Sequence, residues 1–146
     1  MLTALAAGHD VDEAAWKVRL GRTGVLDLLR DLGRDLEVPV ERLDTARIVG
    51  AAYRSGILPV PPQRGPALAV SASEAQLVPY IAAGLPVEEL AAITGRALNE
   101  VRADCRTLMV KTGARQPTHL ITHLYQRGLH RPDRQARIAS RAGAGQ

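Results

Sequence analysis

The chain has no phenylalanine, one tryptophan and one cysteine among its 146 residues. The lone Cys105 excludes an intrachain disulfide and any metal site built from several thiolates. With so few aromatics, a core has to be assembled from Ala, Leu, Val and Ile, which suits short, closely packed helices. Long apolar runs are missing too. Nothing approaches the roughly 20 residues of a membrane span, and the N-terminus lacks the charged and then apolar pattern of a secretory signal. The expectation is a cytoplasmic protein with no membrane partner. No phosphate loop, Rossmann glycine pattern or nucleophile elbow occurs, and Gly21-Arg-Thr-Gly24 reads as a turn. His119 and His123 stand one helical turn apart, a spacing that can hold a metal. However, no His-Glu-x-x-His pattern and no third ligand accompany them. The chain is therefore read as no enzyme, with no cofactor and no metal.

What is present is helical periodicity, and the fold class is read as all-α. Ser71 and Glu74 have the spacing of a capping box, in which hydroxyl and carboxylate each take an orphan N–H. Leu77, Ile81 and Ala82 follow at helical spacing. Gly84 ends that helix, and Pro86 suits the first turn of the next, where a missing N–H costs little. Leu90 and Ile93 give the second helix an apolar stripe, and Gly95 turns the chain. A third helix is expected over residues 98–112, with Val101, Cys105 and Leu108 on one face and Met109 beside them. Its other face carries Asn99, Arg102, Arg106 and Thr107. Gly113 stops it. Gln116-Pro117 opens a fourth helix with Leu120, Ile121 and Leu124 inward, and Gly128 ends it. Cys105, on the apolar face, is expected to be a buried structural thiol. Pro79 falls inside the first of these helices, where a lost hydrogen bond and a kink are expected.

The unit occurs twice. Residues 1–8 align with 77–84, and Val11-Asp-Glu13 aligns with Val87-Glu-Glu89. Val25, Arg30 and Leu32 match Val101, Arg106 and Leu108. After a slip of four residues around Pro39 to Arg42, Tyr53-Arg-Ser-Gly56-Ile lands on Tyr125-Gln-Arg-Gly128-Leu. Nothing ahead of Met1 matches Ser71 to Glu74, so the first unit either has a short first helix or lacks upstream residues. The expected layout is two tandem helix-turn-helix units, 1–58 and 70–130, with a proline-rich linker over 59–69 and a basic, flexible tail over 131–146. The linker, Pro59-Val-Pro-Pro-Gln-Arg-Gly-Pro66, reads as a stiff extended connector. Charge divides unevenly. Residues 1–58 carry a net −1, residues 59–130 a net +2 and the tail a net +3, so the overall +4 owes most to the tail.

Residues 70–130 resemble the C-terminal DNA-binding domain of the LuxR family of bacterial transcription regulators. The resemblance rests on Ser71-x-x-Glu74, Ala82-Ala83-Gly84, Glu89-Leu90-Ala91, Val101-Arg102, Lys111-x-Gly113 and Arg127-Gly128-Leu129, in register over about sixty residues. It implies double-stranded DNA as partner, with helix 98–112 in the major groove. It also implies that Arg102, Ala103 and Arg106 meet base edges and nearby phosphates. Arginine can bond guanine O6 and N7 in a bidentate manner. Asn99, Thr107, Lys111 and Arg115 would hold phosphates and fix the docking angle. In the family the fourth helix forms the dimer contact, which points to Leu120, His123 and Leu124 as an interaction surface. The two tandem copies would then imitate that two-fold within one chain.

Several residues depart from the family pattern. Glu100 and Asp104 replace threonine and histidine, and carboxylates there oppose the phosphate field unless they pair with Arg96, Arg102 or Lys111. Arg96 replaces an apolar residue. The first unit departs further, with Leu26, Asp27 and Leu28 on its third helix and Asp31 and Asp35 beyond them. That copy is expected to have lost DNA reading and to present Leu26 and Leu28 to the second copy or to another protein. Two readings follow. One is a sequence-specific DNA-binding regulator. The other is an interaction module on the same frame, binding another regulator, a sigma factor or an identical subunit.

Overall fold

The computed structural model describes residues 1–38 and 44–131. The expected alignment slip at 39–42 and most of the basic tail lie outside the described residues. Among the described residues there are eight helices and no strand. Helices α1 (Leu2–Ala6), α2 (Val11–Lys17), α3 (Arg22–Asp35) and α4 (Thr45–Ser55) come first. After a non-helical connector follow α5 (Ala72–Ala82), α6 (Val87–Thr94), α7 (Leu98–Thr112) and α8 (Pro117–Gln126).

Local chemistry explains half of the helix starts. Glu74 N donates to Ser71 Oγ at 3.1 Å and Ser71 N donates to Glu74 Oε2 at 3.2 Å, so the expected capping box forms at α5. A second box opens α2, where Glu13 N reaches Asp10 Oδ1 at 2.8 Å and Asp10 N reaches Glu13 Oε2 at 3.1 Å. Asp44 accepts from Ala46 N and Arg47 N to start α4. Pro117 occupies the first turn of α8. Helix α5 runs on through Pro79, although the ring removes one donor from its ladder.

Two apolar clusters hold the helices. Leu5, Ala14, Val25, Leu29, Val49 and Ala52 lie in the first, which also takes Ile121 and Tyr125 from α8. Leu77, Leu90, Val101, Leu108, Leu120 and Leu124 lie in the second. Helix α8 therefore serves both clusters, Leu120 and Leu124 on one side and Ile121 and Tyr125 on the other. The surface expected at Leu120, His123 and Leu124 is corrected here. Leu120 is 3% and Leu124 0% exposed, because the 3.6 period turns them into the second cluster. The face of α8 that meets α4 carries Ile121, Thr122 and Tyr125. Ile93 also departs from expectation. It is half-exposed, because α6 ends one residue later and nothing continues the stripe over it.

The α4–α8 contact is close and polar at its centre. The Tyr53 and Tyr125 rings pack with centroids 4.7 Å apart. Thr122 Oγ1 donates to the Ala6 carbonyl at 2.7 Å, so its oxygen accepts from the Tyr53 hydroxyl at 2.8 Å. Burial raises the Tyr53 pKa above its ordinary value, and the bond to Thr122 lowers it by less. Two glycines let α4 also approach the end of α5 closely. Gly84 has φ +81°, and a Cβ there would collide with the backbone of Ala46 and Arg47. Gly50, inside α4, would place a Cβ 2.6 Å from the Ala82 carbonyl. Arg47 adds an ion pair to Glu89 on α6. The connector is tied down rather than free. Leu58 is buried, Val60 packs on the first cluster, and Arg64 N donates to the Gln126 carbonyl at 2.8 Å.

Candidate nucleic-acid interface

Helix α7 is aimed by the turn ahead of it. Gly95, at φ +66°, closes α6, and Ala97 begins α7 without a side-chain cap. Val101 and Leu108 are fully buried and fix the rotation of α7 about its axis. Asn99, Arg102, Ala103, Arg106 and Thr107 are consequently exposed together on the opposite side. Arg102 and Arg106 stand one turn apart, so both guanidinium groups project from the same stripe. Arg102 reaches Glu88 on α6 at 3.8 Å with half of its side chain exposed, a weak and solvent-screened contact. Arg106 has no ion pair among the described residues. Thr107 turns its hydroxyl back to the Ala103 carbonyl at 2.9 Å. Arg115 lies exposed beyond the end of α7, its backbone N–H donating to His119 Nδ1 at 3.2 Å.

The two carboxylates of α7, Asp104 and Glu100, are handled unequally. Arg96 Nη2 meets Asp104 Oδ2 at 2.6 Å with both side chains mostly covered, and Arg96 also donates to the Ser73 carbonyl at 3.2 Å. Arg96 thus neutralises Asp104 and ties α7 to the start of α5. Arg96 and Asp104 are one paired feature, not two separate ones. Glu100 sits exposed, 4.0 Å from Arg96.

Lys111 is placed differently from a phosphate-holding residue. Its ammonium lies 2.8 and 3.1 Å from the two carboxylate oxygens of Glu74 and 3.3 Å from the Ala69 carbonyl. Glu74 is 5% exposed, so this pair is a structural clamp between α7 and the α5 capping box. The buried Glu74 carboxylate therefore claims the Lys111 ammonium, although Lys111 itself stays exposed. The capping box was legible in the sequence. Its cation, 37 residues away, was not.

Cys105 is half-buried. Its thiol pKa is pushed up, first by burial and then by the Asp104 charge, against a smaller opposite pull from Arg96. That is the environment of an unreactive thiol. The His119 and His123 rings stack with centroids 4.3 Å apart on α8. Burial leads in lowering both pKa values, helped at His119 by His123, Arg115 and His9 and at His123 by Arg127. No group of three or more metal-ligating side chains occurs among the described residues. No helix among them is long and apolar enough to cross a membrane.

The corresponding helix of the first half, α3, presents another surface. Leu26 is partly covered and Leu28 is 42% exposed. Arg30 pairs with Asp27 at 3.1 Å and Arg34 with Asp31 at 3.4 Å, each within its own helix. Trp16, near the end of α2, is 82% exposed, and Leu20 after it is 43% exposed. Comparison with protein-family models, with characterised proteins and with solved structures gives no match for this chain.

Proposed function

We propose that residues 70–130 form a LuxR-type DNA-reading unit, and that residues 1–58 are a degenerate copy of it packed against the first through their fourth helices. The observation that carries the reading is the α7 stripe. It holds Arg102 and Arg106 exposed one turn apart behind a glycine turn, while Arg96 takes Asp104 out of the field. In this reading Arg102 and Arg106 meet base edges, Ala103 allows close approach, and Asn99, Thr107 and Arg115 meet phosphates. Lys111 acts indirectly, by holding α7 on α5.

Paired contacts support the duplication. Gly8, at φ +91°, faces His119 as Gly84 faces Ala46 and Arg47. Thr122 touches the Ala6 carbonyl, while Gly50 approaches the Ala82 carbonyl. Tyr53 and Tyr125, matched in the sequence repeat, meet each other. Such reciprocity is what a pseudo-two-fold produces. A two-fold of two identical units would offer two reading helices. Here one of them, α3, has Arg30 and Arg34 paired within the helix.

The test is fluorescence anisotropy on a pool of genomic duplex DNA over a salt series. It compares the full chain, residues 1–130, and the Arg102→Ala/Arg106→Ala double variant. The expected outcome is binding that survives tail removal, enriches a sequence, and loses about 1–3 kcal/mol for each base contact removed. Binding that vanishes with the tail and ignores the double variant would overturn the reading.

A second reading, an interaction module, is favoured by the apolar side chains Trp16, Leu20 and Leu28 left exposed on the first half. It predicts that Leu26→Ala/Leu28→Ala weakens self-association or capture of another regulatory protein. Unchanged association and compactness would count against it.

A further inference from the structure

A cavity of about 350 Å³ opens beneath the α7 stripe, where α7 meets the α5–α6 turn, the start of α4 and α8. Its walls are apolar, with Ile81, Leu90, Met109 and Leu120 among them. The volume falls within the roughly 300–1,000 Å³ of ordinary small-molecule sites. Three charged residues stand at its rim: Asp44, Glu88 and Arg106. Asp44 caps α4 and lies 3.5 Å from the Arg47 guanidinium, while Glu88 is largely exposed and keeps only the weak 3.8 Å contact to Arg102. The one cation among the lining residues is Arg106, whose guanidinium has no ion pair among the described residues.

The first half explains why the space exists. The residue matched to Cys105 in the repeat is Leu29, which is 0% exposed and fills its own cluster. Cys105 is smaller, only half-buried, and lines the cavity wall. Arg30, matched to Arg106, is paired with Asp27, whereas the residue matched to Asp27 is Ala103, which offers Arg106 no carboxylate. A larger wall residue and a local counter-charge are therefore both missing on the same side of α7.

We propose that this cavity binds a small apolar molecule bearing one carboxylate, its chain among Ile81, Leu90, Met109 and Leu120 and its carboxylate on Arg106. Occupancy takes Arg106 away from nucleic acid, a consequence that rests on the DNA-reading function proposed above. The cavity itself does not rest on it.

Octanoate and 1-octanol, titrated separately into the full chain by calorimetry and by amide chemical shifts, separate chain from charge. Both are expected to bind saturably at one site. Arg106→Ala should weaken octanoate about fivefold and leave octanol unchanged. Cys105→Leu, which copies the first half, should keep the helical circular dichroism signal and weaken both ligands at least about tenfold. Octanoate should also lower duplex DNA affinity, and octanol should not. No saturable octanoate binding, or binding indifferent to Cys105→Leu, overturns the site. Equal weakening of both ligands by Arg106→Ala overturns the carboxylate contact. Octanoate binding that leaves DNA affinity untouched overturns the regulatory half alone. If the chain binds no DNA, that half falls with the DNA reading, while the ligand titrations still decide the cavity.

Discussion

Helices α3 and α7 are each the third of four, and each packs on the helix before it and the helix after it. Both carry arginines and carboxylates outward. On α3, Arg30 and Arg34 are matched to Asp27 and Asp31 one turn back, at 3.1 and 3.4 Å. On α7, the carboxylate Asp104 is drawn off by Arg96 from the preceding turn, and Arg106 is left to solvent. The number of cations, three on each, does not separate the two helices. The location of each partner does. A carboxylate within the helix lowers the local positive potential without taking the cation out of solvent, while pairing to a neighbouring element holds the helix in place and leaves the remaining cations available.

The comparison can be tested by variants, beginning with the contacts that hold the halves together. Gly84→Ala should be the most damaging, at about 4 kcal/mol by chemical denaturation, because strain at positive φ adds to a clash with unyielding backbone. Gly8→Ala carries the same strain at φ +91° but meets the His119 side chain in place of backbone and at longer distances, so it should cost less. Equal losses would mean that the two junctions are not built differently. Lys111→Ala should destabilise by about 3 kcal/mol, because it strands the buried Glu74 carboxylate. A Lys111→Ala protein of normal stability and weakened DNA binding would return Lys111 to the phosphate-contacting set. Under the proposed DNA-reading function, Arg106→Ala on α7 should cost about 2 kcal/mol in DNA affinity and Arg30→Ala on α3 under about 0.5. Equal effects would erase the distinction between α3 and α7. Tyr53→Phe removes one hydrogen bond while Thr122 keeps the Ala6 carbonyl, so about 1 kcal/mol should be lost in the unfolding midpoint.

The smallest effect concerns pH. His119, His123 and His130 all have folded pKa values held below the ordinary 6.5, chiefly by burial. The unfolded chain therefore takes up protons first as pH falls, and the stabilisation present above about 6.5 is lost on acidification. Denaturation midpoints at several pH values should show this slope, and His119→Gln should flatten it. An unchanged slope would mean that His119 contributes nothing to it.

Much of the fold was legible because it is written locally. The bounds of α7, the α5 capping box, and the glycines after α5, α6 and α7 follow from residues within a few positions of one another. The candidate site was legible as a stripe for the same reason, since Arg102 and Arg106 share a face by helical period alone. What was not legible depends on neighbours distant in sequence. Lys111 looks like any cation at a helix end until Glu74 arrives beside it. Arg96 and Asp104 look like two separate departures until a tight turn brings them together. Leu120 and Leu124 could be assigned inward from periodicity, but not to which of two clusters. Ile93 shares an apolar stripe with Leu90, but periodicity does not report where a neighbouring surface ends.

The two-sidedness of α8 has a consequence for how the molecule comes apart. A helix that completes one cluster with Leu120 and Leu124 and another with Ile121 and Tyr125 cannot be withdrawn from either alone. Its amides should exchange with solvent only through the rarest, global opening, and heating should give one absorption peak in place of two.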